Sequence, residues 1–250
     1  MNIAVAYKYA PNPQDARVQP DGQVDWSRAK PAVSENDPVA IEMGRRVAAA
    51  CGAQLIGVCV GPQIVGAAMA RKNAMSRGFD RGIILADDQS AQWNSTQIAS
   101  ALASLIQRAE DVTLVVAGDS SIDDAQGVVP AIIAGYLQWP AFLDVIDCEP
   151  TDDGYRITQR VHGGTRTVRV SGPCVIATTS DAVTPAVPSM KDILAAGKKP
   201  VDVLTASDID CDDIGITTVG YRKPPVHQRK KRMFSHADEL VAALYEDEVL

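Results

Sequence analysis

One stretch restricts the fold more than any other. The apolar run Leu114-Val115-Val116-Ala117 passes through Gly118-Asp119-Ser120-Ser121-Ile122-Asp123-Asp124-Ala125-Gln126-Gly127 into a second apolar run, Val128–Leu137. The first run is short and β-branched, as a buried strand is, and the second has the length of a helix. The small and polar residues between them read as a loop. A strand, loop and helix in this order set consecutive main-chain N–H groups beside a helix N-terminus, where roughly half a positive charge collects. Such a loop holds an anion without a lysine, which points to nucleotide or cofactor binding.

The rest of the first 140 residues repeats the pattern. Asn2–Tyr7, Leu55–Val60 and Gly82–Leu85 read as strands. Helices are expected over Pro38–Ala50, Ile64–Ser76 and Thr96–Arg108, the last with apolar residues at Ile98, Leu102, Leu105 and Ile106. That alternation predicts a mostly parallel sheet covered on both faces, an α/β fold. A long polar insertion, Pro11–Asn36, separates the first strand from the first helix and carries a hairpin signal at Asp21-Gly22. Loops of that length inside a domain are usually functional or face a partner.

After Pro140 the pattern turns to period two. Phe142–Asp147, Arg156–Val161, Thr165–Val170 and Cys174–Thr178 are separated by Asp153-Gly154, Gly163-Gly164 and Gly172-Pro173, which predicts a meander returning to the main sheet. A proline-rich segment, Asp181–Lys191, precedes a short helix near Asp192–Ala196 and a strand at Val201–Leu204. The stretch from Asp208 to Arg232 is polar. Beyond it, Ser235-His236-Ala237-Asp238 reads as a capping box opening a terminal helix through Leu240, Val241 and Leu244. The organisation expected is a nucleotide-binding domain over 1–205 and an arm with a helix over 206–250 that packs on its own domain or embraces another subunit.

Charge and cysteine usage exclude several classes. The net charge of −7 argues against nucleic acid as the main partner, despite the basic run Arg229-Lys230-Lys231-Arg232. No apolar run approaches the roughly 18 residues that span a bilayer. Cys51, Cys59, Cys148, Cys174 and Cys211 show neither C-x-x-C pairing nor zinc spacing, and His162, His227 and His236 are scattered, so no metal site is expected. Reduced cysteines and an N-terminus that enters a strand at once lead us to expect a cytoplasmic protein. There are no paired catalytic carboxylates, no G-x-S-x-G and no P-loop, so no catalytic residue is assigned.

Several segments in order resemble a known family. They are Gly118-x-x-x-Ile122-Asp123-Asp124, Leu137-x-Trp139-Pro140, Arg160-Val161-x-Gly163-Gly164 and Pro188-Ser189-Met190-Lys191-x-Ile193-Leu194-Ala195-Ala196-x-Lys198-Lys199-Pro200. Together they look like the beta subunit of electron transfer flavoproteins. The branch most similar is the one associated with nitrogen fixation and carnitine reduction, which shares Tyr7-Lys8, Pro188–Lys191 and Ala206-x-Asp208-Ile209.

The resemblance implies a Rossmann-like three-layer fold of the adenine-nucleotide hydrolase kind, with a β-hairpin and a C-terminal arm. It implies an electron carrier, not an enzyme in its own right, paired with an alpha subunit that makes most contacts to a shared FAD. It further implies AMP, or a second FAD in electron-bifurcating members, in the beta subunit. The nucleotide contacts would map to Ala6, to Asn36, Asp37, Pro38 and Val39, to Val60, and to the loop of Gly118, Asp119, Asp123, Asp124, Ala125, Gln126, Gly127, Val128 and Val129. Docking to an acyl-CoA dehydrogenase or related flavin dehydrogenase would use Pro188, Ser189, Met190 and Lys191, with Met190 as the apolar anchor.

One departure bears on the ligand. Where family members carry amide side chains and glycine, this chain has Gly127-Val128-Val129-Pro130, which cannot hydrogen-bond a phosphate through side chains, and Pro130 has no N–H. Backbone donors at Ala125–Val129 remain, so weakened rather than abolished binding is expected. The choice among AMP, FAD and an empty site stays open. The alternative to the carrier is an ATP- or AMP-binding stress or hydrolase-like homodimer on the same sheet. A hydrolase would want a glycine-rich loop after the first strand, and Tyr7–Asp15 contains no glycine.

Overall fold

Strand β1 (Asn2–Ala6) is buried along nearly all its length because the sheet continues on both sides of it and helices cover both faces. The computed structural model describes residues 1–211, 219, 225 and 231–249. After β1, the insertion forms β2 (Tyr9–Pro11), β3 (Arg17–Val18), β4 (Val24–Asp25) and β5 (Pro31–Val33). Here β3 and β4 make the hairpin expected at Asp21-Gly22, where Gly22 takes φ +90°, and β2 pairs with β5. The chain continues through α1 (Asp37–Cys51), β6 (Gln54–Gly61), α2 (Ala68–Met75), β7 (Arg81–Ala86), α3 (Ser95–Arg108), β8 (Val112–Gly118) and α4 (Val129–Leu137). It then forms β9 (Ala141–Thr151), β10 (Gly154–Val161), β11 (Gly164–Ser171) and β12 (Cys174–Thr178). The last elements are α5 (Met190–Ala196), β13 (Val201–Leu204) and α6 (Ala237–Glu246).

Nine strands form the main sheet in the order β11-β10-β9-β12-β8-β1-β6-β7-β13, parallel from β9 through to β13 and antiparallel in the hairpin at the other edge. The fold is therefore the expected α/β, Rossmann-like three-layer arrangement. Side chains alternate between its two cores. Ile3, Val5, Leu114 and Val116 pack under α1, α2 and α5, while Ala4, Ala6, Val115 and Ala117 pack under α3 and α4. Burial on both faces explains why these strands read as continuous apolar runs.

Helix ends follow local chemistry. Gly52, at φ +67°, closes α1 by donating its N–H to Ala48 O. Asn94 and Gln97 form a reciprocal capping box at the start of α3.

Three expectations change. The helix expected over Ile64–Ser76 is split into a 3₁₀ turn, Gln63–Gly66, and α2, with Ala67 extended between them. The cause is tertiary: a Cβ on Gly66 would lie 2.9 Å from Ala86 Cβ, so this turn is drawn against the sheet. Second, β9 runs on to Thr151. Asp144 takes a left-handed conformation (φ +55°); just past this kink Val145 pairs with both Thr178 of β12 and Gln159 of β10, and from there the strand continues in antiparallel pairing with β10. Third, Ser235 does not cap α6. His236 holds the N-cap position without a side-chain bond, and the Ser235 N–H donates to Glu239 Oε2 at 3.2 Å.

Candidate functional site

The sheet order reverses at one place. From β1 the chain moves outward to β6 and β7, then returns to β8 on the other side of β1 and moves on to β12. The crevice at the C-terminal ends of β1 and β8 is where open α/β sheets take their ligands. Ala6 and Ala117 are paired there, and Gly118 ends β8. Val60, near the end of β6, is buried beside them in the core under α3 and α4.

Asp37 sits at the first turn of α1 and is buried at 6 % exposure. Its Oδ2 accepts the Lys8 main-chain N–H at 2.7 Å, fastening the end of β1 to the start of α1. A Cβ on Gly118 would lie 3.0 Å from Asp37 Oδ1, so the glycine leaves room for the carboxylate between the strand ends. Burial pushes the Asp37 carboxyl up to about 7, against the lowering effect of the Lys8 N–H bond. Pro38 and Val39 continue the helix, with Val39 buried in its first turn.

The loop after β8 is held over its first half. Asn36 Nδ2 donates to Ser120 O at 2.9 Å, and the Ile122 N–H points at Ser34 Oγ at 3.5 Å. Lys8 Nζ lies 2.6 Å from Asp123 Oδ2 and 2.7 Å from Asp124 Oδ2. Burial disfavours the lysine charge, but the bonds to Asp123 and Asp124 outweigh it and its pKa rises. Burial likewise opposes ionisation of Asp123, yet the bond to Lys8 leaves its pKa lowered. Asp123 and Asp124 thus direct their charge to Lys8, a residue that sequence reasoning did not place in the site. The only signal was a cation directly after β1 in a region with four acids: Asp37, Asp119, Asp123 and Asp124.

The second half of the loop is open. Ala125 (φ +49°) gives its N–H to Ser121 O at 2.9 Å, so the run of available amides begins one residue later than expected. Among the described residues, the N–H groups of Gln126, Gly127, Val128 and Val129 have no protein acceptor, and Gln126 to Val128 are exposed. Gly127, at φ +65°, gives the turn that brings these amides to α4, and a Cβ there would lie 3.4 Å from Asp119 O. Gln126 Oε1 accepts from Ser95 Oγ at 2.8 Å, tying the loop to α3. One Asp119 carboxylate oxygen is buried without a donor. The arrangement fits an anionic group at the α4 N-terminus with a hydrogen-bond donor beside it.

The proline-rich segment lies elsewhere on the surface. Ser189 caps α5 through a box with Asp192, while Val187, Met190 and Leu194 are exposed at 90, 73 and 67 %. Lys191, Leu194, Lys198, Lys199 and Pro200 line a shallow groove beside them. Among the described residues no cluster of three or more His, Cys, Asp and Glu is placed to hold a metal, and no helix is long and apolar enough to cross a membrane. None of the five cysteines forms a disulfide. His227, Arg229 and Lys230 lie outside the described residues, as does most of the stretch between Asp208 and Arg232.

Compared with known families, residues 22–209 match the model described as the electron transfer flavoprotein domain. The chain belongs to the electron transfer flavoprotein family. The match spans the first turn of α1, the loop after β8, and the Pro188–Lys191 segment. Family membership makes this an electron-transport protein of a generally flavin-associated kind.

Proposed function

We propose that this chain is the beta subunit of a heterodimeric electron transfer flavoprotein, and that its crevice at β1 and β8 holds the phosphate end of an adenine nucleotide. The reading rests on the unpaired amides of Gln126 to Val129 at the N-terminus of α4, above the reversal in strand order. They would hold the phosphate of AMP or of a second FAD, while Ala6, Val60 and Val39 wall the crevice and the buried Asp119 oxygen accepts a ribose hydroxyl. FAD shared with an alpha subunit would supply the one- and two-electron chemistry. No side chain of this chain needs to act as acid, base or nucleophile; its work is to bind, orient and cover. Five cysteines outside any disulfide suit a reducing cytoplasm.

Two surfaces support the partners. Met190, with Val187 and Leu194, is an unbranched exposed anchor next to Lys191 and Lys198, suited to a flavin dehydrogenase of the acyl-CoA type. Helix α6 buries only Ala243 fully and leaves Leu240, Val241 and Tyr245 exposed, as an arm over 206–250 that clasps an alpha subunit would. The domain over 1–205 then carries the nucleotide alone.

The deciding measurement is the cofactor released by denaturing the purified complex. We expect a yellow heterodimer, with one FAD and one AMP per pair for an ordinary carrier or two FAD for a bifurcating one. A colourless homodimer that binds ATP would overturn the proposal.

A further inference from the structure

The loop that offers amides to an anion also carries three carboxylates, a combination that needs a physical explanation. Asp123 and Asp124 are adjacent in sequence, and both turn to the same ammonium, at 2.6 and 2.7 Å. Lys8 is well placed for this. Its own N–H is held by Asp37, so the side chain starts from a fixed point at the end of β1. The Asn36 bond to Ser120 O holds the loop just before the two aspartates. Past them, the exposed amides of Gln126 to Val128 are left free. The loop is therefore divided: an acidic half bound to Lys8 and an amide half open to solvent.

We propose that Lys8 is a positioning residue: it draws Asp123 and Asp124 toward β1 and neutralises them, so that an anion meets the amides of residues 126–129 and not the carboxylates. This rests on the nucleotide reading above. A phosphate carries one to two negative charges, and an unneutralised pair of carboxylates on the same loop would repel it and compete for the amides. Lys8 acts through the aspartates rather than on the ligand. That distinction has a measurable consequence: loss of Lys8 should matter only while the aspartates are charged.

The test is a mutant cycle on the full chain with AMP as the probe, followed by calorimetry and by hydrogen exchange over residues 119–128. Lys8→Met keeps an unbranched side chain and removes the charge. It should weaken AMP binding by on the order of tenfold and speed exchange over 119–124. In the Asp123→Asn/Asp124→Asn background the same Lys8→Met change should alter AMP affinity by less than about threefold, because no charge is left to neutralise. An equal loss in both backgrounds would mean that Lys8 touches the phosphate itself, and the proposal would fail. It would also fail if Lys8→Met changed neither affinity nor exchange. A wild-type chain that binds no AMP overturns the nucleotide reading instead, and the exchange comparison then decides whether the clamp exists. A Lys8→Met chain that does not fold leaves the Asp123→Asn/Asp124→Asn chain, which must bind AMP at least as tightly as wild type; weaker binding overturns the proposal.

Discussion

Asp37 gives the sharpest quantitative test of the site. Its carboxyl is buried between the ends of β1 and β8, and burial lifts it from the ordinary 3.8 to about 7. The groups facing it are the Lys8 N–H and ammonium from the segment after β1, Asp123 from the loop after β8, and Arg77 from the segment after α2. Tyr7 and Cys59 lie on the same side and have their own pKa values raised, first by burial and further by Asp37. A native pKa above the unfolded value means that the folded state keeps a proton that the unfolded state gives up. The stabilisation from that proton is complete below about pH 4 and is lost as pH rises through about 7. Three units correspond to roughly 4 kcal/mol, as an upper figure. Asp37→Asn keeps the shape and the acceptor for the Lys8 N–H but has no proton to lose. Urea unfolding at pH 4.5 and pH 8 should therefore show the variant gaining on the wild type by up to about 3 kcal/mol between the two. If the difference in stability between the two proteins is the same at both pH values, or moves the other way, Asp37 is not a buried neutral acid and the account of the crevice is wrong.

Other consequences follow from the same packing. Gly118→Ala brings a methyl within 3.0 Å of Asp37 Oδ1 and should cost about 1–3 kcal/mol, seen as a lower Tm; an unchanged Tm would mean that the strand ends are not closely joined. Gly154→Ala places a Cβ 2.0 Å from Val170 O at the β10–β11 hairpin, so a loss of more than about 3 kcal/mol is expected, and a protein of wild-type stability would contradict the hairpin register. Met190→Asp should leave Tm and nucleotide content unchanged and slow electron transfer with the dehydrogenase partner several-fold in stopped-flow reduction, whereas an unaffected rate would rule out this segment as the docking anchor.

Much of the fold was legible because it is local. The apolar runs of β1, β6, β7 and β8 and the turn at Asp21-Gly22 each depend on residues a few positions apart, and each forms where the sequence places it. The split before α2 and the change of partner along β9 were hidden. Gly66 is drawn against Ala86, and Asp144 kinks the strand, for reasons that exist only once the sheet is assembled. The family resemblance, too, was readable from short ordered segments, and the domain match over 22–209 agrees with it.

The site divides in the same way. Sequence alone determined that a strand would end in Gly118 and lead through a small-residue loop to an apolar helix, because chain geometry fixes such a unit within some twenty residues. Only the tertiary structure decided where the charges of that loop go. Lys8 and Asp124 are 116 positions apart, and Lys8 and Asp37 are 29 apart. Joining groups over such separations costs chain entropy that only a packed sheet recovers, so no local pattern could show which acid would meet which partner.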